Sequence, residues 1–167
     1  MPLASALPPA LRASPTARIA GTVLFNLLCY LCIGLPLAVI PGFVHATLGF
    51  DPVQAGLAVS IQYLATFLSR PAAGRIADTV GPKRAVLLGL GGCAGSGLML
   101  LGAGLTSFYP AGSLFLLLCS RCLLGYAESC VATGSITWAI AIVGPERTAQ
   151  VISMNGVTSY GGIALGA

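Results

Sequence analysis

Long apolar runs broken by brief polar interruptions fill nearly the whole sequence, and the interruptions fall at intervals that suit helices crossing a lipid bilayer. One crossing needs ~20 predominantly apolar residues. On that measure a first span runs from about Arg18 to Phe43, a second from Pro52 to Ala77 and a third from Pro82 to Thr106. A fourth follows from Ala111 to Val143 and a fifth from Arg147 to Ala167. The first is longer than the ~7–15-residue apolar stretch of a secretory leader and is expected to stay as an anchor. The fourth exceeds a perpendicular crossing, so it must tilt or run partly along the cytoplasmic interface. Residues 1–17 are rich in Pro, Ala and Ser without helical period and read as a flexible cytoplasmic tail.

Composition removes the soluble alternative. Charged residues make up 7% of the chain and hydrophobic ones 56%, against roughly 25% charged in a soluble globular domain. The formal net charge is +4, but the bases are spread one or two per connection and form no nucleic-acid face. They instead orient the chain. With the N-terminus inside, Arg12, Arg18, Arg70, Arg75, Lys83, Arg84 and Arg147 gather on the cytoplasmic side, and the outer loops at 45–51 and 107–110 hold no Lys or Arg. The lone His45 falls on an outer loop beside Asp51, where water is expected to solvate it.

Between the second and third spans stands a charged island, Gly74-Arg75-Ile76-Ala77-Asp78-Thr79-Val80-Gly81-Pro82-Lys83-Arg84. It must be a tight turn: Gly81 can adopt the backbone that ends a helix, and Pro82 suits the first turn of the next. Lys83 and Arg84 sit at headgroup level, while Asp78, with Arg70, Arg75, Lys83 and Arg84 nearby, is expected to be ion-paired. The spacing resembles the loop between helices 2 and 3 of the major facilitator superfamily. The match covers Gly74, Ala77, Asp78, Gly81, Lys83 and Arg84, with Thr79 and Pro82 standing where that family usually has bases. The resemblance implies a gating role for this loop, in which Asp78 locks the two halves of a twelve-helix protein together. Arg70, one turn before Gly74, would anchor at the headgroups or pair in the same gate.

One base does not belong to the loops. Arg121 lies about ten residues into the fourth span, ~15 Å deep at 1.5 Å per residue, where a cation costs about 2.5 kcal/mol or more unless it faces the bundle interior or a wet cavity. Seven residues on comes Glu128, so Arg121, Gly125, Glu128 and Ala132 share one helix face. Two turns separate the charges, too far for a direct ion pair but suited to a shared polar pathway. The stretch from Arg121 to Glu128 also resembles the helix-4 motif of proton-coupled members of the superfamily, in which Gly follows Arg by four residues. Leu124 and Ala127 replace the Gln and Gly common there. The resemblance ties Arg121 to proton coupling or to substrate charge; the residues alone also allow it to bond the carbonyls of a broken neighbouring helix. Glu128 is a second candidate for proton coupling.

Pro36 and Pro41 in the first span free backbone carbonyls and bend the helix, which a membrane protein tolerates where neighbours or cavity water satisfy them. Asn26, Tyr30, Gln62 and Tyr63 are neutral polar side chains for a solute or, equally, for bonds between helices. Some drug–proton antiporters carry an acid where this chain has Cys32. Gly91, Gly92, Gly95 and Gly97 on the third span, and Gly162 with Gly166 on the fifth, give small faces for close packing. The run from Gly162 to Ala167 faintly resembles the start of the antiporter motif of helix 5. Cys29/Cys32 and Cys119/Cys122 are spaced like thiol or metal pairs but lie inside apolar spans, where cysteine serves as a small packing residue. No cofactor or metal motif appears in the sequence.

The expected fold is therefore an all-α integral membrane protein, a partial major facilitator fold with five of an expected twelve transmembrane helices and a cytoplasmic N-terminus. Resemblance extends from about Arg18 to Ala167 and includes arabinose-efflux-like and drug–proton antiporter-like permeases. It implies movement of a small solute, a sugar, drug or organic anion, with protons across a bacterial inner membrane, completed by further helices of the same permease and without nucleic acid or enzymatic chemistry. The competing expectation is a short, non-transporting assembly subunit that uses its glycine faces.

Overall fold

Proline opens four of the five long helices. In a computed structural model describing residues 14–167, Pro15, Pro52, Pro82 and Pro110 are the first residues of α1 (Pro15–Gly42), α2 (Pro52–Thr79), α3 (Pro82–Leu105) and α4 (Pro110–Val143). At that position the missing N–H costs nothing and the fixed φ is already helical. α5 (Thr148–Gly166) follows a 3₁₀ turn that also starts on proline, Pro145–Arg147. Three glycines take positive φ, Gly49 (76°), Gly81 (104°) and Gly144 (95°), the last two capping the starts of α3 and of the 3₁₀ turn. The expected backbone role of Gly81 is thus met.

α1 starts within the stretch expected to be tail. Ser14 caps it by accepting a hydrogen bond from the Ala17 N–H at 3.3 Å, a Ser-Pro start signal; the rest of that tail, residues 1–13, lies outside the described residues. The helix continues through Pro36 and Pro41 and closes in one π-helical turn, Phe43–Thr47. His45 in that turn is exposed, as expected, and also donates from Nδ1 to the Phe50 carbonyl at 2.8 Å, which ties off the loop. Asp51 and Gln54 form a capping box at the start of α2.

α4 runs through the middle, buried along nearly all of Leu124–Ser135, with α3 and α2 packed along it and α1 against both it and α5. Pairing α1 with α5 and α2 with α4 is the arrangement that inverted three-helix repeats produce. Glycine sets the distances. A Cβ on Gly162 would stand 2.8 Å from the Leu27 carbonyl and one on Gly166 2.8 Å from the Leu35 nitrogen, so α5 and α1 meet backbone to backbone. On α3, Gly89 and Gly92 press on Ala127 and Val131 of α4, while Gly91 and Gly97 face open space. Gly95 also faces α4, at Leu123, so the small face of α3 keeps Gly92 and Gly95 of the four expected glycines and gains Gly89.

α1 with its π turn, α3 and α4 are long and apolar enough to cross a membrane by length and composition. Such a chain, with Leu98, Leu101, Leu105 and Phe67 turned outward, is an integral membrane protein. α2 and α5 are less apolar and do not meet that measure; α2 carries Gln62 and Thr66, whose side chains bond inside the bundle. All six cysteines are free thiols. Cys93 of α3 meets Cys29 of α1 at 3.5 Å between sulfurs. Copper-phenanthroline oxidation of membranes is expected to link these two, read as a cross-linked peptide by mass spectrometry; a Cys29–Cys32 link instead would contradict the α1–α3 contact.

Candidate functional site

The site is built across α2 and α4 at Gly125, midway between Arg121 and Glu128. A Cβ there would meet the Thr66 nitrogen at 2.8 Å and the Ala65 Cβ at 2.9 Å. Only glycine lets α2 come close enough for a single side chain to reach both charges. That side chain is Gln62. Its carbonyl oxygen accepts from the Arg121 guanidinium, and its amide nitrogen donates to Glu128 Oε2 at 3.3 Å. The charges fix the amide's direction, since the cation needs an acceptor and the carboxylate a donor.

Glu128 has two more donors. Thr66 Oγ1 lies 2.9 Å from the same carboxylate oxygen, and Tyr30 OH of α1 reaches Oε1 at 3.0 Å. Exposure is 0% for Gln62, 1% for Arg121 and 4% for Glu128, so the chain Arg121–Gln62–Glu128–Tyr30 works in low dielectric, where each bond strengthens and each vacancy is costly. Arg121 Nε has no partner among the described residues. The arginine also lines a cavity of about 190 Å³ with Cys32, Pro36, Cys93, Ser96 and Leu124. Pro36 lines this cavity and a larger, apolar one of about 440 Å³ toward Phe43 and Leu105.

Asn26, one turn before Tyr30, is turned away from this cluster. Its amide nitrogen lies 3.2 Å from the Asn155 carbonyl, 3.1 Å from Thr158 Oγ1 and 2.8 Å from Ser159 Oγ, and binds α1 to α5. Tyr63 and Arg70 are exposed on α2 and take no part in the bonds of this cluster. At the far end of the bundle stand Gly74, Asp78, Gly81, Lys83 and Arg84, with Asp78, Lys83 and Arg84 exposed. Asp78 forms no ion pair among the described residues, against the expectation of pairing: it and its basic neighbours Arg75, Lys83 and Arg84 are all exposed, where solvent screening leaves little to gain from pairing. Sequence reasoning missed Thr66, Ser69 and Ser129. Ser129 donates to the Thr66 carbonyl at 2.8 Å and Ser69 meets Ser129 at 2.9 Å, and the signal was the spacing of four residues from Gln62 to Thr66.

The fold and the site define a helical membrane protein with a buried, hydrogen-bonded cluster of charged and polar side chains at its centre. The profile of the Major Facilitator Superfamily matches residues 22–167. The chain is 55% identical over 152 residues to an uncharacterized MFS-type transporter of Burkholderia pseudomallei strain 1106a, covering 91% of this chain and 37% of that protein. It is 52% identical over 150 residues to the uncharacterized MFS-type transporter YhhS of Escherichia coli K12, covering 90% of this chain and 37% of that protein. No solved structure matches. The chain belongs to the Major Facilitator Superfamily, a family of transporters, and spans little more than a third of the length of these relatives.

Proposed function

We propose that this chain is the N-terminal part of a proton-coupled secondary permease for a small solute, with all five helices crossing a bacterial inner membrane and the N-terminus inside. The observation that carries the reading is the Gln62 bridge between Arg121 and Glu128. Each charge inside a membrane bundle costs about 2.5–3.5 kcal/mol on insertion scales, and such residues belong to ion and substrate pathways. Glu128 is the proton carrier: protonation removes its negative charge and makes one of its oxygens a donor, which weakens the bonds accepted from Tyr30, Gln62 and Thr66 and reverses one at the protonated oxygen. The hold of α1, through Tyr30, or of α2, through Gln62 and Thr66, on α4 therefore changes when a proton arrives. Arg121, with one nitrogen free beside a cavity, serves as the counter-charge that this change releases or captures.

The solute is a sugar, drug or organic anion, and the cavity favours the smaller of these, because pockets for drug-sized ligands run to ~300–1,000 Å³. Tyr30 and Tyr63 keep exposed surface for it. Gly74, Asp78, Gly81, Lys83, Arg84 and Arg70 form the gate that meets the helices of the second half. A non-transporting subunit fits less well, since Gly34, Gly89, Gly92, Gly125, Gly162 and Gly166 are consumed in packing within the chain.

Inverted membrane vesicles carrying the full-length protein, energised and loaded with acridine orange, test the reading. Addition of sugars, organic anions and amphipathic amines in turn is expected to give a fluorescence change with one class. Glu128→Gln, which keeps the carboxyl's shape and cannot ionise, is expected to remove at least nine-tenths of that change, on the order of the ten-fold or larger effects of losing a proton-transfer group. A Glu128→Gln protein that behaves as wild type would rule Glu128 out as the carrier.

A further inference from the structure

We infer that the corner between α2 and α3 is a binding site for one phospholipid of net negative charge, a reading that rests on the membrane placement of these two helices. A groove of about 370 Å³ there is lined by Val80, Arg84, Leu87 and Leu88. The three apolar residues are 44%, 56% and 55% exposed. Arg84, Leu87 and Leu88 stand at i, i+3 and i+4, so they share one stripe of α3, and Leu87 and Leu88 lie ~5 Å deeper along its axis.

The polarity of the groove runs in the order of a phospholipid, with a cation at the mouth and branched apolar side chains below. Charge complementarity selects the headgroup. Arg70, Arg75, Lys83 and Arg84 are all exposed around this turn, against the single acid Asp78, a surplus that favours an anionic phosphodiester over a neutral zwitterion. Arg84 is the member that also lines the groove, so it holds the phosphate while an acyl chain covers Val80, Leu87 and Leu88. Basic pockets at helix ends recognise anionic lipids in this manner, at about 1 kcal/mol per base.

Native mass spectrometry of the full-length protein in detergent, titrated with phosphatidylglycerol, phosphatidylethanolamine or phosphatidylcholine, reads this directly. One phosphatidylglycerol is expected to bind first and survive delipidation. Arg84→Gln is expected to weaken that first binding about five-fold, the equivalent of ~1 kcal/mol, and Leu88→Ser to weaken it without changing charge. Arg70→Gln, off the groove, is expected to leave it within about two-fold. Equal binding of the three lipids would overturn the site, as would equal losses from Arg84→Gln and Arg70→Gln, which would mean a diffuse field. Displacement of the lipid by millimolar inorganic phosphate would mean a free-anion site instead. A fold or topology that places this turn away from the headgroups would appear separately, as failure of a maleimide reagent to label Thr79→Cys from the cytoplasmic side.

Discussion

Arg121→Ala in the full-length protein is expected to abolish solute-dependent proton movement and to lower stability by on the order of 3 kcal/mol, the scale for removing one partner of a buried ionic arrangement. The loss has two parts. Gln62 Oε1 is left without its donor, and the Glu128 carboxylate, held by Gln62, Thr66 and Tyr30, becomes an uncompensated buried charge. Arg121→Lys keeps the charge but offers a point donor in place of a planar fork, so it should retain the fold and only part of the coupling. The decisive comparison is the double variant. If Arg121 and Glu128 act through Gln62, Arg121→Ala with Glu128→Gln will be more stable than Arg121→Ala alone, because the second change removes the stranded charge; detergent melting curves read by size-exclusion chromatography measure it. Strict additivity of the two losses would show that the residues do not communicate, and full dye response from Arg121→Ala would remove Arg121 from the mechanism.

Much of this arrangement was legible in local pattern. Hydropathy placed the helix starts of α2 and α3 at Pro52 and Pro82, the second also marked by its proline, and the seven-residue spacing put Arg121 and Glu128 on one face too far apart to touch. Their mediator was not legible. Gln62 belongs to a different helix, and its register against α4 is decided by the absence of a side chain at Gly125, a packing fact that no periodicity within α2 contains. The same holds for Cys29, whose sequence neighbour Cys32 suggests one pairing and whose spatial neighbour Cys93 gives another. Asp78 shows the opposite limit: proximity in sequence to four bases did not produce an ion pair, because all five side chains are exposed and an exposed pair gains little over solvation. The tail boundary was readable after all, since Ser14-Pro15 carries both a cap and a first-turn proline.

Gly125→Ala is expected to be the most damaging single-methyl change in the chain. Its Cβ would meet backbone atoms of α2 as well as the Ala65 methyl, and a backbone contact cannot be relieved by a rotamer change. Overpacking of this kind costs typically 1–3 kcal/mol, enough to reduce the monodisperse yield of a fluorescent fusion several-fold. Gly156→Ala on α5, whose Cβ would meet nothing within 4 Å, is the matched control and should express as wild type. The two consequences of Gly125→Ala should also separate. If α2 yields by a few tenths of an ångström, the protein survives, yet the 3.3 Å bond from Gln62 to Glu128 passes beyond hydrogen-bond length, and the proton response fails at a temperature where the fold is still intact. Unimpaired coupling in a folded Gly125→Ala protein would mean that the close approach of α2 and α4 serves packing alone. Coupling lost below the melting temperature would show that one absent side chain holds the relay together.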